Sequence, residues 1–493
     1  MRLLLGVDVG TTGVRAGIFD ERGRRAAEAS AACPPRTAAS GRAEADAEGW
    51  WTAVCEVCRR IGQGGSLGQI AGIGVTGQAP TAVLVDGDAR PLRPAILWLD
   101  VRAAAEARAI DAALGPGRAE ALGGNRMHAY YLGPKLAWLR THEPAALDRT
   151  AYVMQSHAFV VLRLTGRAAC DPSTAMLCSP LYDARVGTWS EQACRAVGIE
   201  SRVLPPLMAS HEVLGSVTRA AAAATGLREG TPVVAGGGDF AASALGAGVV
   251  EEGQACLMLG TAGNLLLPTN EPRFDPRLIH SRHVGCDRWL ALGGTLCGGA
   301  LEWYRSVFAA DVAWETLEAE AAAVDLAGSD LLFVPYLQGE RTPIWDEGAR
   351  GVLVGLDLAH GRAHILRALI EGIALGFRHC LSVAEEHGLR LAQVVAANGA
   401  GRSALLRQTL ADALGMPLVW SGDGGGTLAG AAILAGLGTG VLSSAPSAGG
   451  ADVWTDGGRR GDVRHEPDPA SHARLTRLFA RRLALDEAVR TRR

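Results

Sequence analysis

Leu3-Leu4-Leu5-Gly6-Val7-Asp8-Val9-Gly10-Thr11-Thr12-Gly13-Val14-Arg15-Ala16-Gly17-Ile18-Phe19-Asp20 sets two apolar runs on either side of a glycine-bounded turn. The pattern predicts a β-hairpin with Gly10-Thr11-Thr12-Gly13 at its tip. Asp8 stands out, because a carboxylate in an apolar strand needs a partner, and a magnesium ion with its waters is a good one. Glycines let backbone N–H groups approach phosphate oxygens, and the hydroxyls of Thr11 and Thr12 add donors. An ordinary tight turn with a solvated aspartate accounts for these residues equally well.

The balance shifts with a second piece of the same kind, where Gln254 to Leu259 leads into Gly260-Thr261-Ala262-Gly263 and out through Asn264 to Leu267. Two such hairpins half a chain apart predict a duplicated architecture, each half offering one phosphate-facing turn. Between them, strand-like runs (70–76, 81–85, 233–235, 331–334, 394–397) alternate with helical stretches such as 363–379 and 403–414, which defines an α/β class. At 493 residues the chain suits two domains. Residues 1–248 are read as the first, 249–440 as the second, and 441–493 as a tail lying on the surface and ending in a helix from Ala470 to Val489.

With 48% hydrophobic and 20% charged residues and a net charge of −3, the chain has the profile of a globular protein without the basic footprint of a nucleic-acid or anionic-membrane binder. No apolar run reaches membrane-spanning length and no cleavable signal precedes Leu3, so a cytoplasmic protein is expected. The ten cysteines show no zinc-ribbon spacing and read as reduced thiols. Of 48 basic residues only Lys135 is lysine, and Leu132-Gly133-Pro134-Lys135 is no Walker loop. Any nucleotide must therefore sit in another cradle. The expected partner is a small-molecule sugar or polyol, met by a lone chain or a homodimer.

Val233 to Ala235, then Gly236-Gly237-Gly238 and Asp239, read as a buried strand, a glycine elbow and a helix start. An acidic residue there is more often a cap, yet three glycines are costly unless the backbone passes close to something. At a positive helix end Asp239 is expected to stay ionised and able to accept a hydroxyl proton. Strand 70–76, Gly77-Gln78-Ala79-Pro80 and strand 81–85 read as a hairpin or bend whose tip faces substrate. Trp98, Asp100 and Arg102 suit a polyol, with ring contact and hydroxyl pairing, or equally a core tryptophan beside a surface ion pair. Strand 394–397 followed by Asn398-Gly399-Ala400-Gly401-Arg402-Ser403 fits nucleotide binding at a strand-to-helix switch, with Ser403 as the cap.

In this order and spacing the motifs resemble the FGGY carbohydrate kinases, xylulokinase-like branch, over about residues 3 to 440. The most specific part is Val334-Pro335-Tyr336-Leu337-Gln338-Gly339-Glu340-Arg341-Thr342-Pro343-Ile344-Trp345-Asp346, continuing to Arg367-Ala368-Leu369-Ile370-Glu371-Gly372. The resemblance implies two ribonuclease H-like domains of the actin and hexokinase ATPase type, closing a cleft on ATP, Mg²⁺ and a sugar. It implies Asp239 as base and Asp8 orienting magnesium through water. Thr11, Thr12, Gly260 and Thr261 would face phosphate, and Gly298, Gly299, Gly399 and Ala400 would contact ATP. Gln78, Ala79, Trp98, Asp100, Asp239 and Phe240 would meet the acceptor.

Departures accompany the match. Xylulokinases usually carry Gln-Met-His-Gly where this chain has Gln78-Ala79-Pro80-Thr81, and Asp-Asn where it has Asp239-Phe240; the Arg-Glu of glycerol kinases is absent too. A glutamate often found before the final small-residue helix is missing from Gly424-Gly425-Gly426-Thr427. The expected reaction is phosphorylation of a pentulose resembling D-xylulose. The alternatives are an erythritol-, L-xylulose- or ribulose-like acceptor, a catalytically weak sensor of sugar or nucleotide, and an actin- or chaperone-type ATPase.

Overall fold

The computed structural model describes residues 2–38, 41–64, 67–326, 330–397, 399–420, 426–447 and 463–490. Asn398, Gly424 and Gly425, singled out above, lie outside the described residues. The first sheet is built from β1 (Leu3–Val9), β2 (Gly13–Asp20), β3 (Arg25–Ala32), β4 (Ile70–Gly77), β5 (Val213–Ser216), β6 (Pro232–Val234) and the short β7 (Gly237–Gly238). Its order is β5-β6-β4-β1-β2-β3, with β7 beside β4. The pairs β1–β2 and β2–β3 are antiparallel, whereas β4 runs parallel to β1 and β6 parallel to β4.

The second sheet repeats this plan. It contains β8 (Gln254–Leu259), β9 (Ala262–Thr269), β10 (Ile279–Arg282), β11 (Trp289–Leu296), β12 (Gln393–Ala397), β13 (Leu418–Trp420) and β14 (Val463–His465), in the order β10-β11-β9-β8-β12-β13-β14. Here β8, β9 and β11 form the antiparallel trio while β12 and β13 extend it in parallel. The two sheets thus share the ribonuclease H-like arrangement, and each glycine-threonine hairpin occupies the same place in its sheet. Of the two readings of 70–85, the bend holds and the hairpin does not: Val83–Val85 leaves the sheet to pair with Tyr152–Met154.

The principal helices are α1 (Ala47–Gly62), α2 (Leu132–His142), α3 (Ser156–Thr165), α4 (Asp239–Gly246), α5 (Gly298–Phe308), α6 (Arg362–Glu386), α7 (Ala404–Leu414), α8 (Thr427–Gly438) and α9 (Pro469–Arg490). Helix α8 falls within the stretch assigned from sequence to the second domain, yet it packs on β1, β4 and α4 of the first lobe. The approach is so close that a Cβ at Gly74 would lie 1.9 Å from the Ala431 carbonyl oxygen, so only glycine fits. A core cluster containing Leu4, Phe19, Leu266, Leu292, Leu428 and Ile433 joins the lobes beneath the cleft.

The tail is not the surface appendage expected from sequence. Strand β14 completes the second sheet, and α9 packs on α6 and α7. Leu475 and Leu478 are buried in the second lobe's core, and Arg482 is buried with them, donating to the Gly372 carbonyl at 2.6 Å and the Tyr336 hydroxyl at 3.0 Å. Arginine-rich sequence reads as solvated, but here guanidinium groups find fixed acceptors inside. Leu475→Ala and Leu478→Ala are each expected to destabilise the protein by about 2–4 kcal/mol, read from the midpoint of denaturant unfolding; an unchanged midpoint would restore the appendage reading.

Candidate active site

In the register of β1 and β2, Asp8 lies opposite Arg15, whose Nη2 stands 2.7 Å from Asp8 Oδ2. The second oxygen, Oδ1, is buried without a hydrogen-bond partner. Burial pushes the Asp8 carboxyl above its ordinary range against the opposing pull of Arg15. An orphaned anionic oxygen is a fitting position for a water bound to a hard cation. Among the described residues no group of three or more His, Cys, Asp or Glu gathers to hold a metal. Such an ion would therefore depend on phosphate oxygens and water for its other contacts. Arg15 escaped the sequence reading, although a hairpin centred on Thr11-Thr12 places it directly across from Asp8.

Asp239 heads α4 at the end of the glycine elbow. Gly236 has φ of +81°, and a Cβ there would sit 2.0 Å from the Val75 carbonyl oxygen, so the elbow presses on β4 as no other residue could. Behind it, the Gly238 N–H donates to Ser173 Oγ at 3.0 Å. Ser173 is held by Asp171, fully enclosed, with His157 Nε2 at 3.2 Å on its other oxygen. Burial raises the Asp171 carboxyl, but the contacts from His157, Ser173 and Thr174 outweigh it and leave the group below its usual value.

The half-buried Asp239 accepts a 2.7 Å bond from the Phe240 N–H, yet burial and then the nearby Asp8 push its pKa up to about 7. The expectation that the helix end keeps it fully ionised is thus corrected: desolvation and like charge exceed the helix contribution. The result is a stronger base at neutral pH.

Gly260, Thr261, Gly298, Gly399 and Ala400 come together on one open cavity of about 590 Å³, which Trp314, Glu318 and Arg402 also line. Gly298 and Gly299 donate their N–H groups to the carbonyls of Gly260 and Thr261 at 2.9 and 3.0 Å, so they lock the hairpin tip. Ser403 caps α7, accepting from the Leu406 N–H at 3.0 Å. Thr12 and Thr261 are exposed at their tips. Trp314 and Glu318 come from a helix over Trp314–Ala322 whose sequence carries no glycine signature, and sequence reasoning missed them.

On the other side, Trp98 Nε1 donates to Thr11 Oγ1 at 3.2 Å, and the Gln78 side-chain amide donates to the Gly10 carbonyl at 3.2 Å. Gln78 Oε1 is buried without a partner. Ala79 and Phe240 share an apolar cluster with Tyr130, whose hydroxyl donates to the Ala79 carbonyl at 3.3 Å. Asp100 does not join them. It is fully buried, and its oxygens are taken by Arg102 at 2.6 and 2.8 Å and by the Ala43 N–H at 2.6 Å. No lone pair of the right aim is left for an acceptor, so its place in the substrate set is withdrawn.

The model of the FGGY family of carbohydrate kinases, N-terminal domain, matches residues 3–246, and that of the C-terminal domain matches residues 255–439. The chain is 32% identical over 449 residues to the xylulose kinase of Bacillus subtilis, covering 90% of each chain. It is 33% identical over 453 residues to the glycerol kinase of Gloeobacter violaceus, covering 89% of this chain and 88% of that one. The crystal structure of xylulose kinase from Rhodospirillum rubrum is similar with a TM-score of 0.89 at 32% identity, covering 99% of both chains. This chain belongs to the FGGY family of carbohydrate kinases. It is a sugar phosphotransferase with an alcohol group as acceptor and ATP as the phosphoryl donor.

Because Asp171 anchors the layer under the elbow, Asp171→Ala strands Ser173 and Thr174 without their acceptor. The expected loss is about 3–5 kcal/mol of stability, seen as a lowered thermal midpoint; an unchanged midpoint would mean that the elbow holds itself.

Proposed function

We propose that this chain, in the cytoplasm, transfers the γ-phosphoryl group of ATP to a hydroxyl of a pentulose resembling D-xylulose or of a closely related ketose or polyol, with Asp239 as general base. The observation that carries this reading is a carboxylate at the head of α4 whose pKa is raised to about 7 by burial and by Asp8, which stands beside the tip of the first hairpin. Names of relatives and neighbours, xylulose kinase in Bacillus subtilis and Rhodospirillum rubrum, support the ketose acceptor.

On this reading the acceptor lies against Gln78, Ala79, Trp98 and Phe240 with its reactive hydroxyl at Asp239. Thr11 and Thr12 meet the phosphates from the first lobe, and Gly260 and Thr261 from the second. Gly399 and Ala400 take the adenosine, while Gly298 and Gly299 brace the second turn. Asp239 receives the proton as the acceptor oxygen bonds to phosphorus; the bond from phosphorus to the bridging oxygen breaks, and ADP leaves with that electron pair. Asp8, through water on its unpaired oxygen, would hold Mg²⁺, which would supply neutralisation of phosphate charge. Closure of the lobes excludes water, so that the sugar is phosphorylated in its place.

Asp239→Asn is expected to lower kcat by about 10²- to 10⁴-fold with ATP affinity retained, measured by ADP release and by calorimetry. Near-normal turnover in that variant would end the assignment. Because the base works deprotonated and its pKa is raised to about 7, kcat/KM for the acceptor should climb with pH and level off above about 7. A profile flat through neutrality is the contrary result. The identity of the acceptor is tested by ADP release against a panel of ketoses and polyols. Sugar-dependent turnover supports the kinase, and sugar-independent ATP hydrolysis or silence favours the ATPase or the sensor.

A further inference from the structure

The acceptor side of the cleft is poor in donors. Ala79 and Phe240 offer no side-chain donor, Trp98 Nε1 is spent on Thr11, the Tyr130 hydroxyl is spent on Ala79, and the Gln78 amide nitrogen gives one of its two N–H groups to Gly10. Yet a sugar or polyol presents several hydroxyls, and strong selection among polyols needs groups that bond to them.

One strong donor reaches this region from the other lobe. The guanidinium of Arg341 lies 5.0 Å from the centre of the Trp98 ring and 4.9 Å from that of Tyr130. Those rings meet edge-on at 6.5 Å. The Tyr130 hydroxyl is raised by burial and feels both Arg341 and Asp239, which places this ring within electrostatic reach of the guanidinium and the base together. Several other enclosed arginines are paired with carboxylates, Arg102 with Asp100 and Glu44, Arg93 with Glu44 and Glu143, Arg367 with Glu371, while the buried Arg407 donates to the Gly401 and Arg402 carbonyls and to His465. Arg341 has no carboxylate within ion-pair distance among the described residues. A half-buried guanidinium stacked on two rings and hydrogen-bonded to the Tyr130 hydroxyl, with no carboxylate partner, still keeps several N–H groups for a ligand.

Its placement is also firm. Glu340 and Asp346 exchange backbone hydrogen bonds of 2.9 and 2.8 Å, closing the loop that carries Arg341. Thr295 donates to Glu340 Oε2 at 2.8 Å, and the Gly294 N–H donates to Thr342 Oγ1 at 2.7 Å, so the loop is fastened to β11. The end of β11 runs into Gly298 and Gly299, which grip the Gly260–Thr261 turn. Trp98, under the guanidinium, bonds to Thr11 of the opposite turn. Arg341 therefore sits where the phosphate turns of both lobes and the acceptor wall are tied together.

We propose that Arg341 is a specificity-determining residue of the acceptor pocket, supplied by the second lobe, whose guanidinium fork donates to hydroxyls of the sugar or polyol away from the one phosphorylated. This rests on the kinase reading above, which places the acceptor beside Trp98 and Asp239. It makes a complete acceptor site a property of the two lobes together.

The test uses the full chain. Wild-type protein is first assayed for ADP release over the ketose and polyol panel, and its best acceptor is then compared in wild type, Arg341→Met and Arg341→Lys. The expected result is a KM for the acceptor raised about 10- to 100-fold in Arg341→Met, the loss of one charge-assisted hydrogen bond. The KM for ATP should stay within about twofold. Arg341→Lys keeps the charge without the planar fork and should recover only part of the loss; it also serves if the methionine variant folds poorly. A deoxy analogue of the acceptor lacking the contacted hydroxyl should be used equally by wild type and variant, which a general disturbance of the cleft would not produce. An unchanged acceptor KM in both variants, or an equal rise for acceptor and ATP, overturns the inference and leaves the kinase reading standing. A panel without any acceptor for the wild type overturns that reading and this inference with it.

Discussion

Two carboxylates, Asp8 and Asp239, lie within electrostatic reach of each other in one poorly hydrated region, and the Arg15 guanidinium is paired to the first of them. Charge of one sign held at low hydration is the constraint around which the rest is arranged. It raises the basicity of Asp239, it leaves an oxygen of Asp8 in want of a cation, and it makes the site most stable when counter-charge arrives. A divalent cation entering with the phosphoryl donor would bring that counter-charge, offsetting both the carboxylates and the phosphates.

Holding such a pair requires stiff backbone. On one side the carboxylate rides on an edge-to-edge β-hairpin; on the other it stands on an elbow that only glycine can make, resting against the Val75 carbonyl. The buried Asp171 layer keeps that elbow from sliding, because Ser173 bonds both to Asp171 and to the Gly238 N–H. The hydroxyl of Ser281, in the second lobe, donates to the Ser173 carbonyl at 2.8 Å. The support of the base therefore already contains a contact with the opposite lobe, and lobe position and base position are not independent.

Both hairpins, the glycine elbow and the turn at Gly399 were legible in the sequence because each is a local pattern: apolar runs, glycines and a polar residue out of place. Arg15 was legible in principle from hairpin register. What escaped was set by distant packing. Asp100 and Arg102 read as part of a polyol-binding cluster or as a surface pair, and nothing near them in sequence announces the Ala43 N–H and Glu44 that enclose them. Arg482 and its neighbours read as solvated tail, since a helix rich in arginine gives no sign that it will be buried beside Tyr336 and Gly372. Thr81 to Val85 read as the far side of a hairpin or bend, and nothing local announces that Val83–Val85 pairs with Tyr152–Met154. Long-range pairing of this kind leaves little trace in a local window.

The route of the chain carries a last consequence. It enters the second lobe after α4, returns to the first sheet as α8, and goes back to the second lobe as β14 and α9. Relative rotation of the lobes is thereby guided by more than one covalent tether and resembles a door on paired hinges more than a ball on a string. The same threading means that the halves are not separable modules: a fragment cut between α4 and β8 would uncover the apolar stripe that α8 shields, and each lobe borrows part of its finished surface from chain made on the far side of the cut.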